Sequence, residues 1–208
     1  MKVLSLPTIS QKARADVIEK FQSKDFFYIQ IGANDGTLHD NFRHEIDKYS
    51  DWSGILVEPL PGAFKKLQSL YSDNDNVFLE NSAISDRTGE SDFHLSGTCS
   101  ALRENINIPK IHKKIKVNTL TWMDFLSKHS IKEVDFLHID AEGYDCNIVN
   151  QVLDTKLNLP KIIEFECNSI TPDAESEPTF KRLSSYGYEV KHFGIATAAY
   201  DCFAYLKI

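Results

Sequence analysis

Four acidic side chains follow strand-like stretches of this sequence, and their positions suggest one shared pocket. They are Asp35, within IGANDG (31–36), Glu58, within GILVEP (54–59), and Asp140 and Glu142, within HIDAEGYD (138–145). Ligands of an open α/β sheet bind beyond the carboxyl ends of its strands. Four carboxylates gathered there need a cation or strong hydrogen-bond donors, or some of their pKa values must rise. A metal ion meets that need, and so does an organic cation that bears an ammonium and a sulfonium.

The glycine loop after the first predicted strand favours a cationic ligand over a phosphate. Gly32 and Gly36 permit positive φ and a close approach of a ligand to the backbone. The loop matches neither GxGxxG nor GxxxxGK[ST], and Asp35 stands where a phosphate would need donors. Glu58 follows Gly36 by about twenty residues, a spacing at which an acidic residue accepts hydrogen bonds from ribose hydroxyls. The simpler alternative is a tight turn and a surface carboxylate with no ligand.

These residues need a parallel sheet to bring them together, and the pattern of the chain predicts one. Helix-like and strand-like stretches alternate, which is typical of a mostly parallel sheet with helices on both faces. The predicted strands are 26–31, 54–59, 76–85, 134–140, 161–168, 188–194 and 201–208. The predicted helices are 10–24 with Ser10 as its cap, one capped by Asp40, one through Phe64 and Tyr71, 121–129, one within 141–154, and one from Pro178 to Gly187. The last two strands are joined too briefly for a helical crossover, so we expect them to pair antiparallel at an edge.

Composition limits the domain organisation and the class of partner. With 208 residues, of which 42% are apolar, the chain has the size of one domain. A net charge of −7 argues against a nucleic-acid partner. The basic run KIHKKIK (110–116) is interpreted as a solvated loop within an unassigned segment, 96–118, and the polar stretch 171–178 as another loop. Both loops and the first helix are candidates for substrate recognition.

The location is predicted from apolar runs and cysteines. No stretch has the length of a signal peptide's apolar run or of a membrane-spanning helix, so we expect no membrane partner. The four cysteines are far apart and form no CxxC pair, which indicates reduced thiols in the cytoplasm and no structural zinc site.

Five segments, taken in order, resemble the FkbM family of S-adenosylmethionine-dependent methyltransferases. They are IGANDG (31–36), GILVEP (54–59), NSAIS (81–85), VNTLTWMDFL (117–126) and HIDAEGYD (138–145). The resemblance runs from about Phe27 to Asn168. It implies a seven-stranded Rossmann-like methyltransferase sheet and a single methyltransferase domain over 1–208, with a helical extension (1–25) before the core (26–208).

The resemblance also implies roles for individual residues. The cofactor would be held by Gly32, Asn34, Asp35 and Gly36 at its methionine part, Glu58 at the ribose, Asn81, Ser82 and Ala83 beside the adenine, and Ser100 and Asp140. Asp140 and Glu142 match the family's Asp-x-Glu-Gly motif at the reaction centre. Many members carry lysine where this chain has His138, for which a buried structural role and a role as general base are both open.

Methyl transfer to a hydroxyl requires alignment of the reactants and a base for the departing proton. The candidate bases are Asp140, Glu142 and His138, and the candidate acceptor-binding residues are Glu166, Asn168 and Tyr144. The expected reaction is O-methylation of a sugar, a glycan or a secondary metabolite, and the resemblance requires no metal. In placement alone, Asp140, Glu166 and Asn168 are also similar to the oxygen ligands of metal-dependent catechol-type methyltransferases, which suit Mg²⁺.

Two other functions remain open from the sequence. One is a nicotinamide-dependent oxidoreductase, against which the missing GxGxxG motif and Asp35 count. The other is a cofactor- or glycan-binding module with a decayed active site, against which the intact acidic motif counts. The oligomeric state is not predicted.

Overall fold

The computed structural model of the chain describes residues 8–37, 42–95, 100–102, 113–156, 158–168, 173–193 and 199–207. Within these residues the chain forms six helices and ten strands. In chain order they are α1 (Gln11–Phe21), β1 (Phe27–Ile31), α2 (Arg43–Lys48), β2 (Ser53–Val57), α3 (Pro61–Leu70), β3 (Val77–Glu80), β4 (Ala83–Ile84), β5 (Gly89–Leu95), β6 (Lys113–Leu120), α4 (Trp122–Lys128), β7 (Phe136–Ile139), α5 (Asp145–Asp154), β8 (Ile162–Asn168), α6 (Asp173–Ser185), β9 (Tyr188–Phe193) and β10 (Ala199–Leu206).

Seven strands form the central sheet, in the order β3-β2-β1-β7-β8-β10-β9. Neighbouring strands are parallel except at β10, which runs antiparallel to both β8 and β9. This arrangement confirms the predicted mostly parallel α/β sheet and the antiparallel pairing of its last two strands. Because β10 runs antiparallel to β8, the first residues of β10 lie beside the last residues of β8.

Each face of the sheet carries its own apolar core, since successive side chains of a strand point to opposite faces. Leu137 and Ile163 pack with α4, α5 and α6 on one face. Tyr28, Phe136 and Phe203 pack with α1, α2 and α3 on the other. All five are fully buried, and burying such a side chain contributes about 1.5–3 kcal/mol. The two cores hold the strand ends in fixed relation, which a site at those ends requires.

The core under α1 contains a buried charge cluster that the sequence did not indicate. Ser10 caps α1 by accepting a bond from the Ala13 N–H at 3.2 Å. One turn later, Arg14 donates from Nε to both carboxylate oxygens of Glu164 on β8, at 3.1 and 3.2 Å. Its guanidinium also bonds Glu45 of α2. Arg14 thereby ties two helices to the middle of the sheet.

Two predictions about the region between β3 and α4 were wrong. The predicted strand 76–85 divides into β3, in the main sheet, and β4, in a three-stranded sheet of order β4-β6-β5. The chain turns between them because β4 pairs with β6 rather than with β2. Residues 113–116 of the basic run form part of β6 and not a loop, since they pair with β5 across residues 92–95. The rest of that run lies outside the described residues.

The predicted loop 171–178 was also wrong. Helix α6 begins at Asp173, so Pro178 lies inside the helix and not in its first turn. Proline there removes one helical N–H donor, and the burial of Phe180 and Leu183 against the sheet offsets that loss. Gly187 has φ +91° and follows the end of the helix as predicted. The proposed cap of α2, Asp40, lies outside the described residues, and the division into an extension and a core stays a prediction.

Candidate active site

A cavity of about 330 Å³ lies at the carboxyl ends of β1, β2, β7 and β8. Ten of the residues predicted from the sequence line it. They are Gly32, Asn34, Glu58, Ser82, Ala83, Ser100, Asp140, Glu142, Tyr144 and Glu166. The fold therefore brings together residues from six separate segments of the sequence.

The glycine loop passes close to the neighbouring strand, which explains its first glycine. Gly32 has φ +84°, and a Cβ built there would lie 1.9 Å from the carbonyl oxygen of Asp140. No side chain fits that space, and L residues rarely adopt that φ. Asn34 continues the turn with φ +49°. Its backbone N–H donates to Oε2 of Glu58 at 2.8 Å, so the loop after β1 is joined directly to the end of β2.

Glu58 combines burial with two backbone donors. Oε1 accepts the Leu60 N–H at 2.7 Å, and Oε2 accepts the bond from Asn34. These bonds favour the charged carboxylate, but burial opposes it more strongly and raises the pKa of Glu58 to about 7. Hydrogen bonds from a ligand's hydroxyl groups would favour the charged form further. The geometry suits a carboxylate that gains donors when a ligand binds.

Three predicted cofactor-binding residues do not line the cavity. Gly36 faces Leu67 and Leu70 of α3 instead. Asp35 accepts bonds from the backbone and hydroxyl of Thr37 and pairs with Lys66 at 3.2 Å. Asn81 donates to the carbonyls of Glu58 and Pro59, at 2.7 and 3.2 Å. Asp35 and Asn81 thus stabilise the loops that border the cavity and do not contact the cavity themselves.

Part of the cavity lining is apolar, and most of these residues were missed. Leu60, Phe93 and Leu102 pack with Ala83 in one apolar cluster, and Ile84 and Ile148 of the main core add to the lining. Phe93 comes from β5 in the small sheet, and Leu102 comes from a segment with no helix or strand periodicity. No signal in the sequence identified these two residues, because their position depends on how the small sheet packs.

The loop after β7 is held by a residue that the sequence analysis did not select. Asp145, fully buried at the start of α5, accepts the N–H groups of Ala141 at 3.2 Å and Gly143 at 3.0 Å. The residue between them, Glu142, has φ +49°, an unusual conformation for a side chain of its size. Burial, and then the Asp140 carboxylate, raises the pKa of Asp145 well above its ordinary value. Asp145 could have been found as an acidic residue in the first turn of a helix.

The remaining predicted residues fall into three cases. Tyr144 and Glu166 line the cavity beside Asp140. His138 does not; it is buried, stacks on Phe42 with ring centroids 5.0 Å apart, and lies between neighbouring strands. That placement favours its structural role. For Asn168 the structure gives the backbone position, at the end of β8 opposite residue 199.

Two further features are absent from the described ranges, a metal-binding cluster and a membrane-spanning helix. No group of three or more His, Cys, Asp or Glu side chains there is arranged to hold a metal ion. No helix in that part of the chain is long and apolar enough to cross a membrane.

Comparison with known proteins adds information independent of the geometry. The profile of a family described as the methyltransferase FkbM domain matches residues 30–190. A curated relative, the 2-O-methyltransferase NoeI of Sinorhizobium fredii (strain NBRC 101917 / NGR234), is 25% identical over 158 residues. That alignment takes in 69% of this chain and 64% of the relative, so the chain spans somewhat less than two thirds of it.

Solved structures share the fold at low sequence identity. Precorrin-6y C5,15-methyltransferase from Geobacter metallireducens GS-15 has a TM-score of 0.51 and 13% identity, covering 99% of this chain and 91% of that one. The N-terminal domain of human METTL16 in complex with SAH has a TM-score of 0.54 and 13% identity, covering 93% and 66%. These likenesses show a class I methyltransferase fold.

Proposed function

The chain belongs to the FkbM family of methyltransferases, and we propose that it transfers a methyl group from S-adenosylmethionine to a hydroxyl of a sugar, a glycan or a secondary metabolite. The observation that carries the proposal is the single cavity in which Glu58 and the glycine loop lie beside Asp140, Glu142 and Glu166. The first pair suits a nucleoside, and the carboxylates suit a cationic sulfonium and a hydroxyl donor.

The residues of the cavity fit the parts of that cofactor. When bound, S-adenosylmethionine supplies a methyl group activated by a positively charged sulfur. Glu58 would accept hydrogen bonds from the ribose hydroxyls, which would favour its charged form against the penalty of burial. Leu60, Phe93 and Leu102 offer an apolar surface for the adenine ring. The carboxylates of Asp140 and Glu142 would balance the positive charges at the other end.

Asp140 and Glu142 are the proposed bases for the acceptor. Displacement at a methyl carbon needs the oxygen, carbon and sulfur in line, so rigid placement of the acceptor is the chief contribution of the protein. Asp140 follows β7 directly and its N–H is bonded to the Ile31 carbonyl at 2.9 Å, which fixes its position. It would take the hydroxyl proton as the oxygen forms its bond to carbon. Tyr144, Glu166 and Asn168 would bind neighbouring hydroxyls.

The acceptor class rests on two supports. The curated relative is named as a 2-O-methyltransferase, and the acceptor side of this cavity offers carboxylates, which bind several hydroxyls at once. Part of the proposal is that the reaction takes place in the cytoplasm, where the unpaired thiols of Cys146, Cys167 and Cys202 would stay reduced.

The first experiment is calorimetric titration with S-adenosylmethionine, S-adenosylhomocysteine and NADH, with and without Mg²⁺. We expect saturable binding of the first two ligands alone, and a loss of affinity of about 100-fold in Glu58→Ala. The matched control is Glu90→Ala, which removes an exposed glutamate of β5 away from the cavity. Binding of NADH alone, or equal affinity in wild type and Glu58→Ala, would overturn the proposed cofactor site.

The second experiment identifies the acceptor by transfer of a radiolabelled methyl group. The panel contains neutral hexosides, the corresponding uronic acids and catechols. We expect transfer to a hydroxyl of a neutral hexoside, and in Asp140→Asn a loss of transfer that is larger than the loss of S-adenosylhomocysteine affinity. Transfer to a catechol that depends on Mg²⁺ would replace this acceptor class with the metal-dependent alternative.

A further inference from the structure

A third carboxylate lies beside the acceptor side of the cavity, and the sequence analysis did not select it. Asp201 is in β10 directly opposite Glu166 of β8. In β7 and β8, Ile139 pairs with Phe165, so the next residues along the chain, Asp140 and Glu166, are also neighbours. Glu166 therefore lies between Asp140 and Asp201. Residues aligned across neighbouring strands point to the same face of the sheet, so Asp140, Glu166 and Asp201 form one row across three strand ends.

The spacing within this row is short. Residues directly opposite in an antiparallel pair have Cβ atoms about 4.5–5.5 Å apart, and like charges in such positions repel. Both Glu166 and Asp201 are partly buried, where water screens that repulsion less than at a free surface. Two ionised carboxylates at this distance are therefore unfavourable.

Two cations near this row, Arg14 and Lys191, bond other carboxylates. Arg14 bonds Glu164, two residues before Glu166 in β8, through Nε and one terminal nitrogen. Its other terminal nitrogen bonds Glu45. On the far side of Asp201, the ladder partner in β9 is residue 193. Lys191, two residues earlier in β9, pairs with Glu189 at 2.8 Å. A proton held between Asp201 and Glu166 would relieve their repulsion.

We propose that Asp201 and Glu166 share one proton and bind the acceptor as a unit, with Asp201 as a positioning residue that acts through Glu166. Protonated Asp201 donates to one oxygen of Glu166, which fixes that carboxylate and keeps it charged. The other Glu166 oxygen then faces the cavity and accepts a hydrogen bond from an acceptor hydroxyl next to the methylated one. This inference rests on the proposed transfer to a hydroxyl-bearing acceptor.

The electrostatics of the site agree with this assignment. Burial raises the pKa of Asp201 to about 7, and the carboxylates of Glu164, Glu166 and Asp140 act in the same direction, against Arg14. A carboxyl group with that pKa holds its proton for much of the time at neutral pH. The row then carries one negative charge fewer, and its remaining carboxylates still disfavour an acceptor with a phosphate or carboxylate next to the reacting hydroxyl.

The proton is tested directly by ¹³C NMR titration of carboxyl-labelled protein. We expect the Asp201 carboxyl to titrate near pH 7 in the wild type and at least one pH unit lower in Glu166→Gln, because the opposing charge is gone. Glu90→Gln, the same change at an exposed site, should leave the Asp201 titration unchanged. Titration of Asp201 near pH 4 in the wild type, or an equal midpoint in Glu166→Gln, would overturn the shared proton.

The role in binding is tested by kinetics with the neutral hexosides as acceptors. Asp201→Ala should raise the KM for the hexoside at least tenfold with little change in kcat, and Asp201→Asn, which keeps a donor toward Glu166, should stay within threefold of wild type. Equal effects of the two variants would count against positioning through Glu166. S-adenosylhomocysteine affinity within twofold of wild type separates this result from a failure of the cofactor site, and the NMR titration decides the proton whether or not any hexoside is a substrate.

Discussion

The cavity has two halves that are built in different ways. In the half proposed for the cofactor, the Glu58 carboxylate accepts the backbone N–H groups of Asn34 and Leu60, and Gly32 lies against the Asp140 carbonyl. In the half proposed for the acceptor, Asp140, Glu166 and Asp201 come from the ends of three separate strands, and their placement depends on strand register. The first half is therefore expected to be sensitive to backbone changes, and the second to changes of charge.

The strongest test of the cofactor half is Gly32→Ala. The added Cβ would overlap the Asp140 carbonyl oxygen at a φ that alanine avoids, so we expect S-adenosylhomocysteine binding to be lost and the melting temperature to fall. Gly62→Ala is the matched control, because nothing lies within 4 Å of a Cβ at that helical position. Differential scanning fluorimetry and calorimetry measure both variants. Wild-type affinity in Gly32→Ala would contradict the close approach of the two strands.

Below the acceptor half, Arg14→Met tests the buried charge cluster. Removing the guanidinium leaves Glu164 and Glu45 buried without their cation, and such a loss costs about 3–5 kcal/mol of unfolding free energy. Urea denaturation measures the change. Lys181→Met, which breaks an exposed pair with Glu177, should change stability by less than about 0.5 kcal/mol. Equal effects of the two variants would show that the cluster adds no more than a surface pair.

The boundary between the halves is tested by Asp145→Asn. The two oxygens of Asp145 each accept one N–H group, from Ala141 and from Gly143. An amide has a single acceptor oxygen, so one of these bonds is lost and the loop that carries Glu142 should become less ordered. We expect methyl transfer to fall about tenfold to 100-fold while S-adenosylhomocysteine affinity changes by less than fivefold. Asp154→Asn, at the exposed end of the same helix, is the control. A larger effect on cofactor binding than on turnover would place the loop in the cofactor half.

The smallest expected effect is the pH dependence of cofactor binding. The pKa of Glu58 is raised to about 7, so below that pH the carboxyl is mostly protonated. It must lose this proton before it can accept hydrogen bonds from both ribose hydroxyls. Affinity for S-adenosylhomocysteine should therefore fall about tenfold per pH unit below 7 and level off above it. Calorimetry from pH 6 to pH 8 measures this slope, and Glu58→Ala should abolish it. A slope that persists in that variant would assign the proton to another group.

The sequence predicted most of the cofactor half because its signals are local. Two glycines after a strand and an acid about twenty residues later describe the turn and its partner within one βαβ unit. Gly32, Asn34 and Glu58 accordingly line the cavity. The local pattern did not show that Asp35 bonds Thr37 and Lys66 instead of facing the cavity.

The acceptor half was harder to predict because it depends on strand order. Asp201 opens the strand-like stretch DCFAYLKI, and nothing in that stretch shows that it lies opposite Glu166. Its position follows only once β10 is inserted beside β8. Arg14 was missed for a similar reason, since an arginine in an amphipathic helix is usually exposed. For His138 the sequence offered a buried structural role as one of two alternatives, but it did not indicate the Phe42 ring that stacks on it.

The pairing of β1 with β7 affects how the protein is made. Phe27 and Asp135 are joined by a bond of 2.8 Å but lie 108 residues apart along the chain. A ribosome adds about 5–20 residues per second, so β1 waits roughly 5–20 seconds for its central partner. During that time its apolar edge is exposed and can pair with other chains. Synthesis in cells is therefore expected to depend on chaperones that shield β1 until β7 has emerged.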